Sequence, residues 1–416
     1  MRRLAALLAL LLSLASCSHR DRLNPLDGAN PQTGGAPEGF NALADFVSVR
    51  LVWRPRPDLP IDGFQLFRLA PFDSLYRPLG GLLPNTVSQY FDGNAINGAD
   101  FRYRLYYVVD GQLSARFAED IATPGRVRAW VGDILGGRLL RLTPDARDVL
   151  VSRDGFGSPY SLAVTPDFGP VWVADFLSGN VRVVDPQNFN GATIDGIAKP
   201  FTIALDPFDE SAWICDLAGS VRHYLPGGAV AAPETLSTLL EQPAGIATDP
   251  ADGSVWVTEV VGNRLRHYAR AGSLLGERPL DSPSRVAVDS LTGQAWVTSL
   301  NTGRVWRISP ALVVLDSLGL QGPIGLALDW RRRIAWLADA AADQVVSVDM
   351  DTRAVRFRLT ALGEPRDVAV DLDRGEAWVV GRAGARVYRF SPAGFLLGSV
   401  GGLGNPYEVR LDRGLQ

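Results

Sequence analysis

The sequence predicts an all-β protein in which a small β-sandwich is followed by a seven-bladed β-propeller closed by the C-terminal strand. Two series of residues support this prediction: seven tryptophans recur at intervals of 40 to 43 residues, and seven prolines recur beside them at the same intervals. The segments between them alternate apolar and polar residues, as strands do, and show no amphipathic helical pattern. A repeat of this length built from strands is typical of propeller blades.

The N-terminus has the pattern of an export signal. Arg2 and Arg3 precede an apolar run over 4–16, which is shorter than the about 20 residues needed to cross a bilayer. Residues 14–16 together with Cys17 resemble the bacterial lipobox, which implies a lipoprotein signal peptide over 1–16 and lipidation of Cys17. An ordinary cleaved signal with an incidental cysteine is the alternative.

Lipidation would anchor the chain to a membrane through its N-terminal acyl chains, since two or three chains hold durably where one does not. Ser18 follows the cysteine where an aspartate would mark inner-membrane retention, so we expect a lipid-anchored protein of the cell envelope, at the outer membrane. Whether it faces the periplasm or the surface is left open. Residues 17–36 are polar and rich in Gly, Pro and Asn, which predicts a flexible tether.

Residues 37–124 contain short alternating runs at 47–53, 63–68, 88–92, 101–109 and 116–122, separated by turn-rich segments. This is the pattern of an antiparallel sandwich. The segment resembles a fibronectin type III domain, because Pro37 precedes the first strand, Trp53 ends the second, and residues 63–68 resemble that family's G-Y-x-V-Y-R strand. The resemblance implies a spacer or adhesive module.

The composition excludes some classes of function. The net charge of −4 gives no electrostatic reason to expect a nucleic-acid partner. Lys199 is the only lysine, so lysine-based catalysis has a single candidate, and Cys215 is the only cysteine besides Cys17. Once Cys17 is modified no disulfide within the chain can form, and stability must come from burial.

Residues 125–416 carry the repeats. The tryptophans are Trp130, Trp172, Trp213, Trp256, Trp296, Trp336 and Trp378, and the prolines are Pro159, Pro200, Pro243, Pro283, Pro323, Pro365 and Pro406. Each indole lies in an apolar strand, so we expect it to fill space between neighbouring blades. The first repeat lacks a proline strand and the last lacks a tryptophan strand, which predicts that 406–412 completes the first blade.

The P-x-x-φ-A-φ-D and W-φ-x-D patterns, where φ is apolar, resemble NHL-repeat proteins and the related streptogramin lyases and gluconolactonase-like proteins. The resemblance covers the whole repeat region and implies the propeller. Functions within these families differ widely, so it is a weak guide to activity.

An acidic residue follows five of the seven tryptophans by three positions. These residues are Asp133, Asp175, Asp216, Glu259 and Asp339. One hypothesis is an acidic face that attracts cations or a basic partner. The competing interpretation is that each carboxylate caps a local turn.

The second residue after each proline should lie near the mouth of the central channel. Arg285, Asp367 and Glu408 are charged there, whereas Ser161 and Thr202 are small and polar. These five are the candidate ligand-binding residues. Arg285, Asp367 and Glu408 could instead pair with one another.

No catalytic residue is predicted. His223 and His267 occupy equivalent third strands, away from the channel, and Cys215 fills a slot that small residues occupy in other blades. The leading hypothesis is therefore a membrane-anchored binding or scaffold protein for a protein, peptide or glycan. The alternative is a lactonase-like hydrolase or lyase at the channel mouth that uses a divalent cation; otherwise no cofactor is expected.

Overall fold

A computed structural model describes residues 24–28, 30, 33–125, 127–166, 169–237 and 239–413. The predicted signal peptide and Cys17 lie outside the described residues. The chain divides into two compact units between Arg126 and Val127. Among the described residues, no helix is long and apolar enough to cross a membrane.

The first unit is a β-sandwich. Its strands are β1 (Asn41–Ala44), β2 (Val49–Val52), β3 (Gly63–Leu69), β4 (Arg77–Leu83), β5 (Gln89–Asp92), β6 (Phe101–Val109), β7 (Gln112–Leu113) and β8 (Ala118–Ala122). One sheet has the order β1-β2-β5; the other has the order β4-β3-β6-β7, with β8 also paired to β6. The buried core between them includes Trp53, Phe64 and Tyr107.

Two features of this unit differ from the sequence prediction. The alternating pattern misses β4, because Pro78 and two glycines interrupt it. The second part of the predicted tether is folded: Leu26 packs against the sandwich core, and Thr33 is buried and donates its hydroxyl proton to the carbonyl of Pro25 at 2.9 Å. The described end of the segment 17–36 therefore belongs to the sandwich unit.

The second unit consists of seven four-stranded antiparallel sheets, which we number as blades 1 to 7. Blade 1 contains β9 (Val127–Asp133), β10 (Arg138–Leu142), β11 (Val149–Asp154) and the C-terminal strand β36 (Pro406–Arg413). Blades 2 to 4 contain β12 (Pro159–Val164), β13 (Val171–Asp175), β14 (Asn180–Val184), β15 (Gly191–Asp195), β16 (Pro200–Leu205), β17 (Ala212–Asp216), β18 (Ser220–Tyr224), β19 (Val230–Ser237), β20 (Pro243–Thr248), β21 (Val255–Glu259), β22 (Arg264–Tyr268) and β23 (Leu274–Pro279).

Blades 5 to 7 continue the same order. They contain β24 (Pro283–Asp289), β25 (Gln294–Ser299), β26 (Arg304–Ile308), β27 (Val314–Gly319), β28 (Pro323–Asp329), β29 (Ile334–Asp339), β30 (Gln344–Asp349), β31 (Val355–Thr360), β32 (Pro365–Asp371), β33 (Glu376–Gly381), β34 (Arg386–Phe390) and β35 (Leu396–Val400). A short 3-10 helix, Ala340–Ala342, links β29 to β30.

The propeller closes through β36. This strand runs antiparallel to β9, with Val409 opposite Val131 and Leu411 opposite Ala129. The inner strands β12, β16, β20, β24, β28, β32 and β36 contact one another in sequence around a ring. The all-β prediction and the closure by the C-terminal strand are therefore confirmed.

The tryptophans of the repeat hold neighbouring blades together. Each of the seven is at most 3% exposed. Each indole belongs to an apolar cluster formed with the next blade: Trp296 of blade 5 packs with Leu337 and Val346 of blade 6, and Trp378 of blade 7 packs with Val131 of blade 1. Burial of an indole, worth about 25 cal/mol per Å² of apolar surface, thus stabilises every junction of the ring.

Candidate functional site

The central channel is bordered by the inner strands, and each of these begins with an irregularity at its proline. In blade 2, for example, Pro159 pairs with Asp175 but Ser161 pairs with Ala174, so the register shifts at Tyr160. An extra residue in one strand re-aims the neighbouring side chains. The first residue after the proline then has no direct partner in the ladder, and the second points towards the next blade.

This geometry explains why the second residue after the proline is small in several blades. A Cβ atom on Gly245 would lie 2.2 Å from the carbonyl oxygen of Ser284 in the next blade. Ser161 and Thr202 are buried, and Thr202 donates to the carbonyl of Ala244 at 2.8 Å. Thr202 therefore faces a neighbouring strand, whereas the buried hydroxyl of Ser161 has no hydrogen-bond partner among the described residues.

The two predicted carboxylates connect inner strands. Asp367 of blade 7 accepts a hydrogen bond from the backbone N–H of Val409 at 3.1 Å, and Glu408 of blade 1 accepts one from Leu162 of blade 2 at 2.8 Å. Glu408 is fully buried. Each carboxylate thus fixes its strand to the next blade, on the two sides of the closing strand.

The same carboxylates belong to a group of four charged side chains, Arg285, Asp367, Glu408 and Arg410, which we call the channel charge cluster. Arg285 reaches from blade 5 to Glu408, with Nη1 3.3 Å from Oε1. Arg410 donates to Asp367 at 2.7 Å and also to Glu408. Two positive and two negative charges balance within the cluster. Of the predicted residues, Arg285 and Glu408 pair with each other, whereas Asp367 pairs with Arg410.

Arg410 was not among the predicted site residues, although the sequence contains a signal for it. The fourth residue after the proline is alanine in the other six blades and arginine only in blade 1. Burial acts to lower the pKa of Arg410, but the negative charges of Glu408 and Asp367 outweigh it and raise the pKa above its ordinary value. The guanidinium therefore stays charged at all physiological pH values.

The predicted acidic face is not exposed, which corrects that expectation. Its five carboxylates are buried under the loop that leads into the proline strand of the same blade, and each accepts hydrogen bonds from that loop. Asp175 accepts from the N–H groups of Gly157 and Ser158 at 2.9 and 2.7 Å, and Asp339 accepts from Gly322. The corresponding donors are Asn405 for Asp133, Lys199 for Asp216 and Glu241 for Glu259.

These carboxylates have a structural role, as acceptors of hydrogen bonds from backbone N–H groups. For Asp133, burial alone would raise the pKa, but hydrogen bonds from Asn405 and Arg138 lower it below the ordinary value. The interpretation as turn caps describes part of this bonding. The carboxylate of Asp216 accepts a hydrogen bond from the N–H of Ala218, two residues on, at 2.9 Å, but it also accepts one from the preceding loop.

The histidines and the remaining cysteine are packed in the blades. His223 and His267 stack on Trp213 and Trp256, with ring centroids 3.7 and 3.8 Å apart. Cys215 is fully buried, and burial raises the pKa of its thiol to about 12, so no thiolate forms at neutral pH. Among the described residues, no group of three or more His, Cys, Asp or Glu side chains is arranged to hold a metal ion.

An aromatic surface lies beside the channel mouth where the proline strands begin. We call Tyr160, Phe176, Phe201 and Tyr407 the aromatic patch. The ring of Tyr160 lies 4.1 Å from that of Tyr407, 5.0 Å from Phe201 and 5.3 Å from Phe176. Tyr407 is buried, whereas the other three rings are partly exposed.

Basic and apolar groups border the patch. The guanidinium of Arg366 lies 4.5 Å from the Tyr407 ring, within cation–π distance, and donates to its hydroxyl. Leu177 follows Phe176 and is 74% exposed. Aromatic and arginine side chains of this kind are the residues most enriched where proteins bind other molecules.

Solved structures share this architecture. A functionally unknown protein from Desulfotomaculum acetoxidans is 14% identical and matches 69% of this chain and 99% of its own, with a TM-score of 0.59. A putative 6-phosphogluconolactonase from Bacteroides uniformis is 12% identical, matching 68% and 99%, with a TM-score of 0.57. Virginiamycin B lyase from Staphylococcus aureus is 15% identical, matching 61% and 91%, with a TM-score of 0.51.

The second unit is a β-propeller. At these identities the likeness shows the fold alone. No protein-family model matches the chain, and no curated protein sequence matches it.

Proposed function

We propose that the protein is a membrane-anchored lipoprotein of the cell envelope whose propeller is a binding or scaffold module for a protein, peptide or glycan. The observation that carries this proposal is the aromatic patch, where three partly exposed rings of blades 2 and 3 lie together beside the mouth of the channel. Burial of such rings against a partner, with Arg366 at the edge, is a common source of binding energy.

The channel charge cluster supports binding over catalysis. Asp367 and Glu408 are the carboxylates that a metal-dependent hydrolase would need there, yet both are occupied by arginines and backbone N–H groups. A cation bound at Asp367 and Glu408 would have to displace Arg410 and Arg285. The hydrolase or lyase alternative rests on the fold shared with lyase and lactonase propellers.

The binding role is tested by immobilising the full chain, exposing it to an extract of the cell envelope and cross-linking the molecules that bind. We expect Phe176→Ser and Phe201→Ser to lose the captured partner, whereas Phe395→Ser, which changes a 71% exposed ring in the turn between β34 and β35, should retain it. If all three variants capture the same molecules as the parent, the aromatic patch is not the binding surface.

The enzyme alternative is tested by calcium and zinc titration of the parent, Asp367→Ala and Glu408→Ala, together with assays of lactone turnover. Our proposal expects no specific uptake by the parent and no turnover. Specific uptake that both substitutions abolish, accompanied by turnover, would replace the binding role with the hydrolase.

Anchoring is proposed through acyl chains on Cys17, with the outer membrane as the destination. The Cys17→Ser variant should move from the membrane fraction to the soluble fraction, and Cys215→Ser should stay with the membrane because Cys215 is buried in blade 3. Membrane association of Cys17→Ser would rule out anchoring at this residue.

We further propose that the sandwich is fibronectin type III-like and acts as a spacer. Its support is the packing of two antiparallel sheets around Trp53, whose ring lies 5.6 Å from that of Phe64.

A further inference from the structure

The aromatic patch continues into a charged side chain at the channel mouth. The first residue after the proline is large in blades 7, 1, 2 and 3, where it is Arg366, Tyr407, Tyr160 and Phe201, and small in blades 4 and 5. We call these four residues the mouth arc. The guanidinium of Arg366 lies 4.5 Å from the ring of Tyr407, and the ring of Tyr160 lies 4.1 Å from Tyr407 and 5.0 Å from Phe201. A partner that covers the arc therefore also covers Arg366.

Arg366 carries a charge that the protein does not neutralise. It donates to the hydroxyl of Tyr407, and burial raises the pKa of Tyr407 to about 12, so this acceptor is neutral. The carboxylates that flank Arg366 in the sequence have other partners: Glu364 bonds to Arg382 at 2.6 Å, and Asp367 bonds to Arg410 at 2.7 Å. Within the described ranges no carboxylate forms an ion pair with Arg366.

The surroundings of the mouth arc are positive as well. The channel charge cluster is neutral by itself, so Arg366 gives the cluster and the arc together a net charge of +1. Lys199 is exposed and lies two positions before Phe201, at the other end of the arc. The whole chain has a net charge of −4, so this positive surface contrasts with the rest of the molecule. Such a surface attracts a negatively charged partner.

The cost of burying Arg366 determines what the partner must supply. Removing an unpaired charge from water is unfavourable, so a purely apolar partner would lose at Arg366 what it gains at the rings. A carboxylate removes this penalty, because it accepts hydrogen bonds from a guanidinium in a strong, charge-assisted pair. The arc therefore fits a partner that places an acidic group next to an apolar one.

The shape of the surface favours a peptide over a sugar. The ring of Tyr160 is tilted by 36°, 35° and 43° from the rings of Phe176, Phe201 and Tyr407, so these rings form no flat platform on which a sugar could stack. In turns at the same end of blades 1 and 2, Leu135 and Leu177 are 78% and 74% exposed. Aliphatic side chains bury apolar side chains of a peptide but offer no hydrogen bond to a sugar.

We propose that the mouth arc binds an acidic peptide segment of a protein partner. An Asp or Glu side chain of this segment pairs with Arg366, and a neighbouring apolar side chain packs against Tyr160 and Phe201. The inference rests on the proposed binding role of the aromatic patch and specifies the chemistry of the partner.

The first test selects peptides from a phage library of random heptapeptides on the immobilised full chain. We expect the selected peptides to combine Asp or Glu with an aromatic or aliphatic neighbour, and selection on Arg366→Gln to lose the enrichment in Asp and Glu. Apolar peptides without acidic residues would overturn this inference and leave the binding role in place. If no peptide is selected, this inference fails, whereas the binding role is still decided by capture from the envelope extract.

The second test is a double-mutant cycle that locates the carboxylate. One selected peptide is synthesised with its acidic residue and with the corresponding amide, and both are titrated calorimetrically. The amide should bind the parent at least about tenfold more weakly, because it lacks the charge-assisted pair, and should bind Arg366→Gln as tightly as the acid does. An unchanged preference for the acid in Arg366→Gln would overturn the pairing.

Two further variants separate the charge from the apolar contact. Phe201→Ser should weaken the acid and the amide by the same factor, since it removes a ring and no charge. The matched control is Arg358→Gln, because Arg358 lies on the outer strand β31 of blade 6 and also donates to a neutral acceptor, Gln344, at 3.2 Å. It should keep the preference of the parent for the acid. Loss of this preference in Arg358→Gln would show that it reflects the overall charge of the chain and would overturn the proposal.

Discussion

Asp249 shows how one residue can depart from a repeated structural role. Aspartates end the inner strands of several blades, and two of them are paired with arginines of the next blade: Asp206 with Arg270 at 2.6 Å and Asp289 with Arg333 at 2.8 Å. Asp249 is also buried, but no ion pair to it is present in the described part of the chain. Burial, and then the negative charges of Asp252 and Asp289, raise its pKa above the ordinary value.

Asp249→Asn should therefore stabilise the propeller at neutral pH. A raised pKa favours folding below about pH 4, and that contribution is lost as the pH rises through the folded-state pKa. We expect the free energy of unfolding to rise on the order of 1 kcal/mol at pH 7 and to change little at pH 4. Urea denaturation at both pH values measures it. Asp206→Asn is the control and should destabilise the protein, because it removes the partner of Arg270.

His267 predicts a dependence of stability on acid. Burial lowers the pKa of its imidazole, which stacks on Trp256 and lies 3.0 Å from the hydroxyl of Ser254. The neutral form therefore stabilises the fold above about pH 6.5, and this contribution is lost as the pH falls through the lowered pKa.

The His267→Phe variant keeps an aromatic ring on Trp256 but cannot be protonated. Between pH 7 and 5 its melting temperature should fall less than that of the parent, by a margin equivalent to about 1 kcal/mol. The same decline in parent and variant would show that His267 does not contribute to the acid sensitivity.

At the scale of single elements, β36 is the strand on which the propeller depends most. It pairs with β9 and also carries Glu408 and Arg410 of the channel charge cluster. Through these side chains it is bonded to blades 2, 5 and 7. The closing strand is thus held both by its backbone ladder and by charges from around the ring.

Glu408→Gln should destabilise the propeller by about 3 kcal/mol, because it leaves two arginines without their shared buried carboxylate. The matched control is Glu241→Gln, which breaks a pair with Arg264 but changes a side chain that is 57% exposed, and should cost less than about 1 kcal/mol. Chemical denaturation followed by tryptophan fluorescence measures both. Similar losses of unfolding free energy in the two variants would mean that the channel charge cluster stabilises the propeller no more than an exposed ion pair does.

Most of the element order could be predicted because the repeats encode it. Trp336 and its counterparts recur once per blade because each junction needs one large ring, and the proline series marks every inner strand.

Strand β4 was missed because its burial follows no alternation. The sequence suggested that Arg285, Asp367 and Glu408 pair with one another, but it could not assign the partners, since Arg285 and Glu408 are 123 positions apart and meet only once the ring has formed. The burial of Asp175 and its counterparts was missed for a similar reason, because it depends on the position of the preceding loop.

At the scale of the whole molecule, the sandwich and the propeller have separate apolar cores. Leu51 is fully buried in the core of the first unit, and Val346 is fully buried between blades 5 and 6 of the second. Each unit is larger than the size below which a single core fails to support folding.

Matched core substitutions should therefore affect the two units separately. Leu51→Ala should cost the sandwich about 2 to 5 kcal/mol, and Val346→Ala should cost the propeller somewhat less, because a smaller side chain is removed. Scanning calorimetry with limited proteolysis identifies which unit unfolds first. Loss of propeller stability in Leu51→Ala would contradict the independence of the cores.

The pairing of β36 with β9 has a consequence for synthesis. Strands from the start and the end of the propeller share a single sheet, so blade 1 lacks its innermost strand until residues 406–413 have left the ribosome. Until then the apolar side of Trp378 has no complete neighbour to cover it. A nascent chain stalled or cut short before Pro406 would present that uncovered edge to chaperones and proteases.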